Sequence, residues 1–182
     1  MTTRIATFAL VSIALTGSAL TGIAAAQPPS PPAEASVTVN GKNITIKYSA
    51  PSVRGRKIFG DGGVISHDPT YPVWRAGANS ATSMTTDGNL DINGLKVPAG
   101  SYTLFVALNG DHDWDLIVNK KTGEWGLAYN KSADLGRVKM TVTKPSAPIE
   151  TFQISLEATG GNKGKLTLSW DNDVATVPFT VQ

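Results

Sequence analysis

The sequence predicts an all-β fold: a single antiparallel β-sandwich or partly closed barrel of about ten short strands, preceded by a signal peptide. Three observations lead there. Apolar residues recur at every second position in segment after segment from Val37 to Val181, the period of a half-buried strand. Turn dipeptides such as Asn40-Gly41, Asp87-Gly88, Asn93-Gly94 and Asn109-Gly110 separate these segments, and such pairs accept the positive φ that tight hairpins need. No helical period follows residue 26, and alternation rather than unbroken apolar runs argues against a parallel sheet.

In chain order, Val37 and Val39 alternate with Thr38, Asn40-Gly41 turns, and Ile44, Ile46 and Tyr48 carry the next apolar face. Pro51 cannot donate to a ladder and marks a strand end or an edge. Arg56–Gly60 is expected as a short strand and Asp61–Pro72 as a loop, broken by Gly62-Gly63, Asp68-Pro69 and Tyr71-Pro72. Val73–Ala76 is a brief extended piece, and Gly77-Ala78-Asn79 is turn-like. Strands follow at 81–86 and 90–92, and then Tyr102, Leu104, Val106 and Leu108 form one face. Trp114, Leu116 and Val118 form the next, followed by an expected strand at Trp125–Tyr129 and a polar loop at Asn130–Leu135. Val138, Met140 and Val142 read as one further face. Phe152 to Leu156, Leu166 to Trp170 and Val177 to Val181 close the domain.

The first 26 residues read as a targeting segment. Arg4 starts it, Ile5–Leu20 is apolar and rich in small residues, and Ala24-Ala25-Ala26 precedes Gln27, the charged, apolar and small-residue order of a secretory signal. Residues 27–35, with the run QPPSPPA, are expected to form a proline-rich tether, and residues 36–182 the β-domain. The expected location is periplasmic or secreted. The chain has no cysteine, so no disulfide reinforces the fold and the core must hold it. Without Arg4, 15 basic residues face 14 acidic ones, a net charge of about +1 with the signs interspersed. That balance leaves no footprint for nucleic acid, and no stable membrane span is expected once the leader is removed.

One stretch breaks the pattern. Residues 49–82 hold five glycines, three prolines, three arginines, one of the chain's two histidines and a Trp-Arg pair. A β-domain keeps such a segment as a structural crossover or as a binding loop. The candidate ligand-binding residues are Arg54, Arg56, Lys57, His67, Trp74, Arg75 and Asn79, joined by Trp125 at the start of a later expected strand, flanked by Glu124 and Gly126. Converging guanidinium forks of Arg56 and Arg75 would hold a carboxylate, sulfate or phosphate bidentately; the alternative is that they pair with Asp61, Asp68 or another acid and staple the loop down. Trp114 and Trp170 are in phase with apolar strand faces and belong to the core, which leaves Trp74 and Trp125 as the tryptophans for stacking on a sugar or another flat ligand.

Catalytic and metal residues are not expected. Two histidines without cysteine make a poor zinc set, and Asp111-His112-Asp113 reads as a solvated hairpin tip. Asp87–Asp91 lacks the closing glutamate of a twelve-residue calcium loop. There is no Gly-x-Ser-x-Gly nucleophile elbow, and Gly60-x-Gly62-Gly63 precedes no helix that would make it a phosphate loop. No cofactor is implied.

Several blocks resemble a family of bacterial exported domains, domain of unknown function 2911. They are PSVRGRKIFG, VWRAGANSAT, VPAGSYTLFV, WDLIVNK with EWG, and LSWDN. The resemblance spans Ser36 to Val181 and implies a secreted β-domain, with no activity carried over. The family has a short Val-Pro-Tyr-Gly-like link before its Trp-Arg-x-Gly-Ala-Asn block, where this chain has the longer GDGGVISHDPTYP with His67.

Three readings follow. The first is a non-catalytic exported ligand-binding or envelope-associated module for an unknown small molecule or glycan, with Arg56, Trp74, Arg75 and Asn79 on the ligand surface. The second is a small hydrolase or lyase in which His67 is the general base and Arg56 or Arg75 stabilises developing negative charge. The third is a purely structural domain whose crossover is satisfied internally.

Overall fold

Asn40 and Gly41 adopt φ values of 50° and 70° and turn β1 (Pro32–Val39) into β2 (Lys42–Ser49) as expected. The computed structural model describes residues 30–182; the targeting segment and the start of the proline-rich tether lie outside the described residues. The strand begins at Pro32, so Pro32–Ala35 pairs with β2 and does not act as linker. Proline is tolerated there because β1 is the edge of its sheet.

The remaining strands are β3 (Val73–Trp74), β4 (Thr82–Thr86), β5 (Leu90–Ile92), β6 (Leu95–Val97), β7 (Gly100–Gly110), β8 (Asp113–Asn119), β9 (Asp134–Lys139), β10 (Thr141–Thr143), β11 (Ile149–Gly160), β12 (Lys163–Asp171) and β13 (Asp173–Val181). They form two antiparallel sheets, and neither closes into a barrel. One runs β1-β2-β4-β7-β8-β9, with β3 sharing the flank of β7 with β4. The other runs β11-β12-β13-β5-β6, with β10 sharing the flank of β13 with β5. The inward faces supply the core: Ile44 and Ile46 from β2, Leu104 and Val106 from β7, Leu116 and Val118 from β8, Leu166 and Leu168 from β12, and Val177, Phe179 and Val181 from β13.

Several local expectations are corrected. Arg56–Gly60 forms no strand, because Ile58 and Phe59 point into the core as a plug and leave no ladder to join. Residues 64–67 wind into a 3-10 turn within the expected loop. Trp125–Tyr129 is not a strand; only Trp125 bridges, to Ser80. Val138, Met140 and Val142 do not share one strand face. The chain changes sheets at Met140, whose N–H donates to the Trp114 carbonyl at 2.9 Å. The β7–β8 turn falls at Asp111-His112, just beyond the expected Asn109-Gly110, after a register shift between Leu108 and Gly110.

The run LFVAL in β7 is apolar on both faces for a structural reason. Phe105 and Ala107 face away from the main core and form a second cluster with Val73 and Ile117, against which Ala81 and Tyr129 pack. The 120–135 segment covering this outer face is pinned through Asp134. Its Oδ1 accepts from Asn119 Nδ2 at 2.8 Å and its Oδ2 from Tyr129 Oη at 2.6 Å and from Arg137 Nε at 3.2 Å. Burial first, and then this hydrogen bond to Asp134, pushes the Tyr129 phenol up to about 12.

Candidate functional site

The crossover from Ala50 to Ala81 laces the two sheets together. It leaves β2 and joins the edge of β11: Phe152 N–H donates to the Pro51 carbonyl and Val53 N–H to the Glu150 carbonyl, each at 2.8 Å. Arg54 and Gly55, with φ of 50° and 67°, turn the chain inward. Ile58 follows, completely buried, and Phe59 enters an aromatic cluster, 4.9 Å from Trp114 and 5.6 Å from Trp74 between ring centroids. The chain returns to the first sheet through β3.

The eight candidate residues do not form one surface. Trp74 is a correction: it is 0 % exposed, stacks on Trp170 at 5.8 Å, meets Phe152 at 5.0 Å, and donates its indole N–H to the Gly77 carbonyl at 3.1 Å. A side chain so enclosed cannot stack on a ligand. Arg75 follows the stapling alternative. Its Nη2 lies 3.0 Å from Asp68 Oδ2, with the two side chains 13 % and 18 % exposed, and its Nη1 donates to the Asn79 carbonyl at 3.3 Å. Arg56 caps its own turn, donating to the carbonyls of Val53 at 3.1 Å and Ser52 at 2.7 Å. The two guanidinium groups are thus held by different acceptors and do not converge.

The other candidates are also placed by hydrogen bonds within the domain. The Arg54 N–H donates to Glu150 Oε1 at 2.9 Å. Lys57 Nζ donates to the Asp61 carbonyl at 2.6 Å. His67 ends the 3-10 turn, exposed, with its Nδ1 2.8 Å from the Gly63 carbonyl oxygen. Asn79, at φ 58°, reaches the Ser30 carbonyl and Ser49 Oγ with its amide, each at 3.4 Å. Trp125 is 58 % exposed, as its position beside turn residues implied. The next residue, Gly126, closes over the Trp-Arg block: its N–H donates to the Asn79 carbonyl at 3.2 Å. A β-carbon on Gly126 would lie 2.6 Å from that oxygen and overlap the Arg75 side chain.

A concavity lies elsewhere among the described residues. A cleft of about 690 Å³ opens at the end of the sandwich where β7 turns into β8 and β12 into β13. Phe59, Ile65, Leu108 and Trp114 give it an apolar floor, and Tyr71, 42 % exposed, stands at its rim. Its ionisable groups are Lys57, Asp61, Asp111, His112, Lys144, Asp171 and Asp173. Of the eight candidates only Lys57 lines it. Lys144 Nζ donates to Asp173 Oδ1 at 2.9 Å. Asp171 adopts φ 53° and accepts from Asn172 Nδ2 at 2.8 Å. Its carboxyl is raised above the ordinary carboxylate range, first by burial and then by the charge of Asp173.

The sequence held one clue to this cleft. Trp170-Asp171-Asn172-Asp173 sets polar residues directly after a core tryptophan, with a turn between two strands. Nothing local joins it to residues 57–71 or 110–114, which arrive through the crossover and another hairpin. Among the described residues no group of three or more His, Asp or Glu could hold a metal ion, and no helix there is long and apolar enough to cross a membrane.

Comparison with known proteins returned one family. No curated protein and no solved structure matches the chain. A family model described as "Protein of unknown function (DUF2911)" matches residues 30–179, which takes in every strand of the first sheet and nearly all of the second. The chain belongs to the DUF2911 family.

Proposed function

We propose that this protein is a non-catalytic exported binding module, and that the end cleft, not the face of the crossover, receives its ligand. One observation carries the reading: an open cleft of about 690 Å³ combines an apolar, partly aromatic floor with seven Lys, Asp and His side chains in its lining. That combination suits a small polar ligand with one apolar face, such as a sugar, since apolar walls supply contact area and a few polar groups fix orientation. The crossover serves as scaffold: Trp74 and the Arg75–Asp68 pair hold the wall from which Phe59, Ile65 and Tyr71 reach the cleft. The hydrolase or lyase reading finds no support in this geometry, since His67, Arg56 and Arg75 all lie outside the cleft lining. Export to the periplasm or beyond remains part of the proposal, resting on the order of residues in the first 26 positions.

The test is a panel of immobilised glycans and small polar metabolites screened against the full chain. The expected result is at least one binder whose affinity falls about tenfold in Tyr71→Ala and in His112→Ala, as for loss of a stacking or hydrogen-bonding contact. Both residues are exposed, so the fold tolerates the changes. No binder, or binders indifferent to both substitutions, would sink the reading.

A further inference from the structure

We infer that the indole N–H of Trp114 is a donor to the ligand of this cleft, and that the ligand meets it with an uncharged oxygen, a hydroxyl or an amide carbonyl. The inference rests on the binding reading just given and narrows it to a class. The four tryptophan N–H groups differ in what they meet. Trp74 donates to the Gly77 carbonyl at 3.1 Å. Trp125 is 58 % exposed and open to solvent. Trp170 Nε1 is sealed in the interior without an acceptor. Trp114 matches none of these. It is 3 % exposed and lines the cleft, yet its Nε1 has no acceptor among the described residues and, unlike Trp170 Nε1, is not sealed off.

The fold holds this indole in place. Trp114 sits at the start of β8, opposite Leu108 of β7, and its carbonyl accepts the Met140 N–H at 2.9 Å. The Phe59 ring lies 4.9 Å away between centroids, tilted by 53°, and both rings belong to the cleft floor. A donor enclosed this far is costly to leave without an acceptor. An indole nitrogen only donates, so whatever meets it from the cleft must accept. The oxygen is uncharged because the lining offers an anion no free cation. Lys144 Nζ is taken by Asp173 Oδ1 at 2.9 Å and Lys57 Nζ by the Asp61 carbonyl at 2.6 Å, while the aspartates of the lining repel further negative charge. A hydroxyl, or an amide with its own N–H, takes the indole hydrogen and still has one to give to a carboxylate oxygen. The carbon skeleton of such a ligand rests on the Phe59 ring.

The experiment titrates the full chain with three probes of one linkage: the tetramers of glucose, of N-acetylglucosamine and of glucuronic acid. The His112 resonance and the indole N–H resonances, with their hydrogen exchange, are read by NMR after backbone-linked assignment. In the free protein the Trp114 indole proton should exchange at least about tenfold faster than the sealed one of Trp170; equal protection of the two overturns the inference before any probe is added. A neutral tetramer should shift the Trp114 resonance, slow its exchange about fivefold or more, and leave Trp170 unmoved. Trp114→Phe keeps an aromatic floor, removes the donor and should weaken that binding about fivefold, the worth of one neutral hydrogen bond. The exchange rates of the parent decide the matter even if Trp114→Phe folds poorly. The glucuronic acid tetramer should bind at least about fivefold more weakly than the better neutral one. Equal or better binding of the glucose tetramer assigns the acceptor to a hydroxyl, and a preference for the N-acetylglucosamine tetramer assigns it to the amide carbonyl; both support the inference. Three results overturn it and leave the cleft reading standing: glucuronic acid binding as tightly as the better neutral tetramer, Trp114→Phe binding as tightly as the parent, or a ligand that moves His112 without slowing Trp114 exchange. If all three tetramers are silent, an uncharged member of the wider panel that slows Trp114 exchange supports the inference, and an anionic one that does so overturns it. Silence of His112 and Trp114 toward every compound overturns the inference and the binding reading together.

Discussion

Trp74 and Trp125 look equivalent in the sequence as tryptophans outside the regular strand faces, and replacing each by alanine separates the two roles that the structure gives them. Trp74 is 0 % exposed, with Phe59, Phe152 and Trp170 rings 5.0 to 5.8 Å away. Removing a buried tryptophan costs about 3–5 kcal/mol through lost transfer energy and the cavity left behind. The Gly77 carbonyl, which accepts the indole N–H at 3.1 Å, would lose its partner at a further cost of about 1 kcal/mol. Trp74→Ala therefore loses about 4–6 kcal/mol, much of the 5–15 kcal/mol that holds a typical domain together. Trp125, 58 % exposed, should cost no more than about 0.5 kcal/mol. The assay is urea unfolding followed by circular dichroism. With a slope of about 2 kcal/mol/M, the Trp74→Ala midpoint falls by about 2 M or more, while that of Trp125→Ala barely moves. A Trp74→Ala midpoint within about 0.5 M of the parent would refute the view of the crossover as a core plug.

Three further predictions concern charge. Arg75→Ala strands the largely buried Asp68 carboxylate and should cost about 3–5 kcal/mol, whereas the apolar double replacement Asp68→Leu with Arg75→Met should recover most of the loss; a double-mutant cycle in urea checks this. Asp171 has a folded-state pKa above its unfolded value, so the native state binds the proton more tightly and stability falls as pH rises through that window. Asp171→Asn should therefore raise the unfolding midpoint at pH 7 and leave it nearly unchanged near pH ~2, where an aspartate is protonated in both states. Tyr129, pushed to about 12 by burial and by Asp134, should ionise well after an ordinary phenol in a spectrophotometric titration. In Asp134→Ala that delay should shrink, and the 120–135 segment should exchange its amides faster.

The chemistry of the crossover was only half legible beforehand. That Arg75 has an acid to pair with was visible as an option, because Asp68 stands seven residues away, but distance along the chain does not say whether a loop folds back. The binding alternative would have required Arg56 to turn toward Arg75, and Arg56 instead finds the Ser52 and Val53 carbonyls within its own turn. The cleft was less legible still. Its walls come from residues 57–71, 108–114, 144 and 171–173, and no short-range pattern relates them.

Features that depend on neighbours two residues away were readable from the residues alone. The alternation places Leu104 and Val106 inward, the Asn40-Gly41 and Asn93-Gly94 pairs take the positive φ that closes their hairpins, and Trp114 and Trp170, in phase with their strands, are buried, both 3 % exposed. Which residues gain a second covering depends on how distant segments pack. Phe105 and Ile117 became core because Tyr129 and, from the crossover, Val73 and Ala81 pack over the outer face of the first sheet. Trp74 became core because two sheets and a crossover meet around it. The physical reason is that a side chain's strand phase is set by the local backbone, whereas its solvent exposure is set by whichever distant segment packs against it.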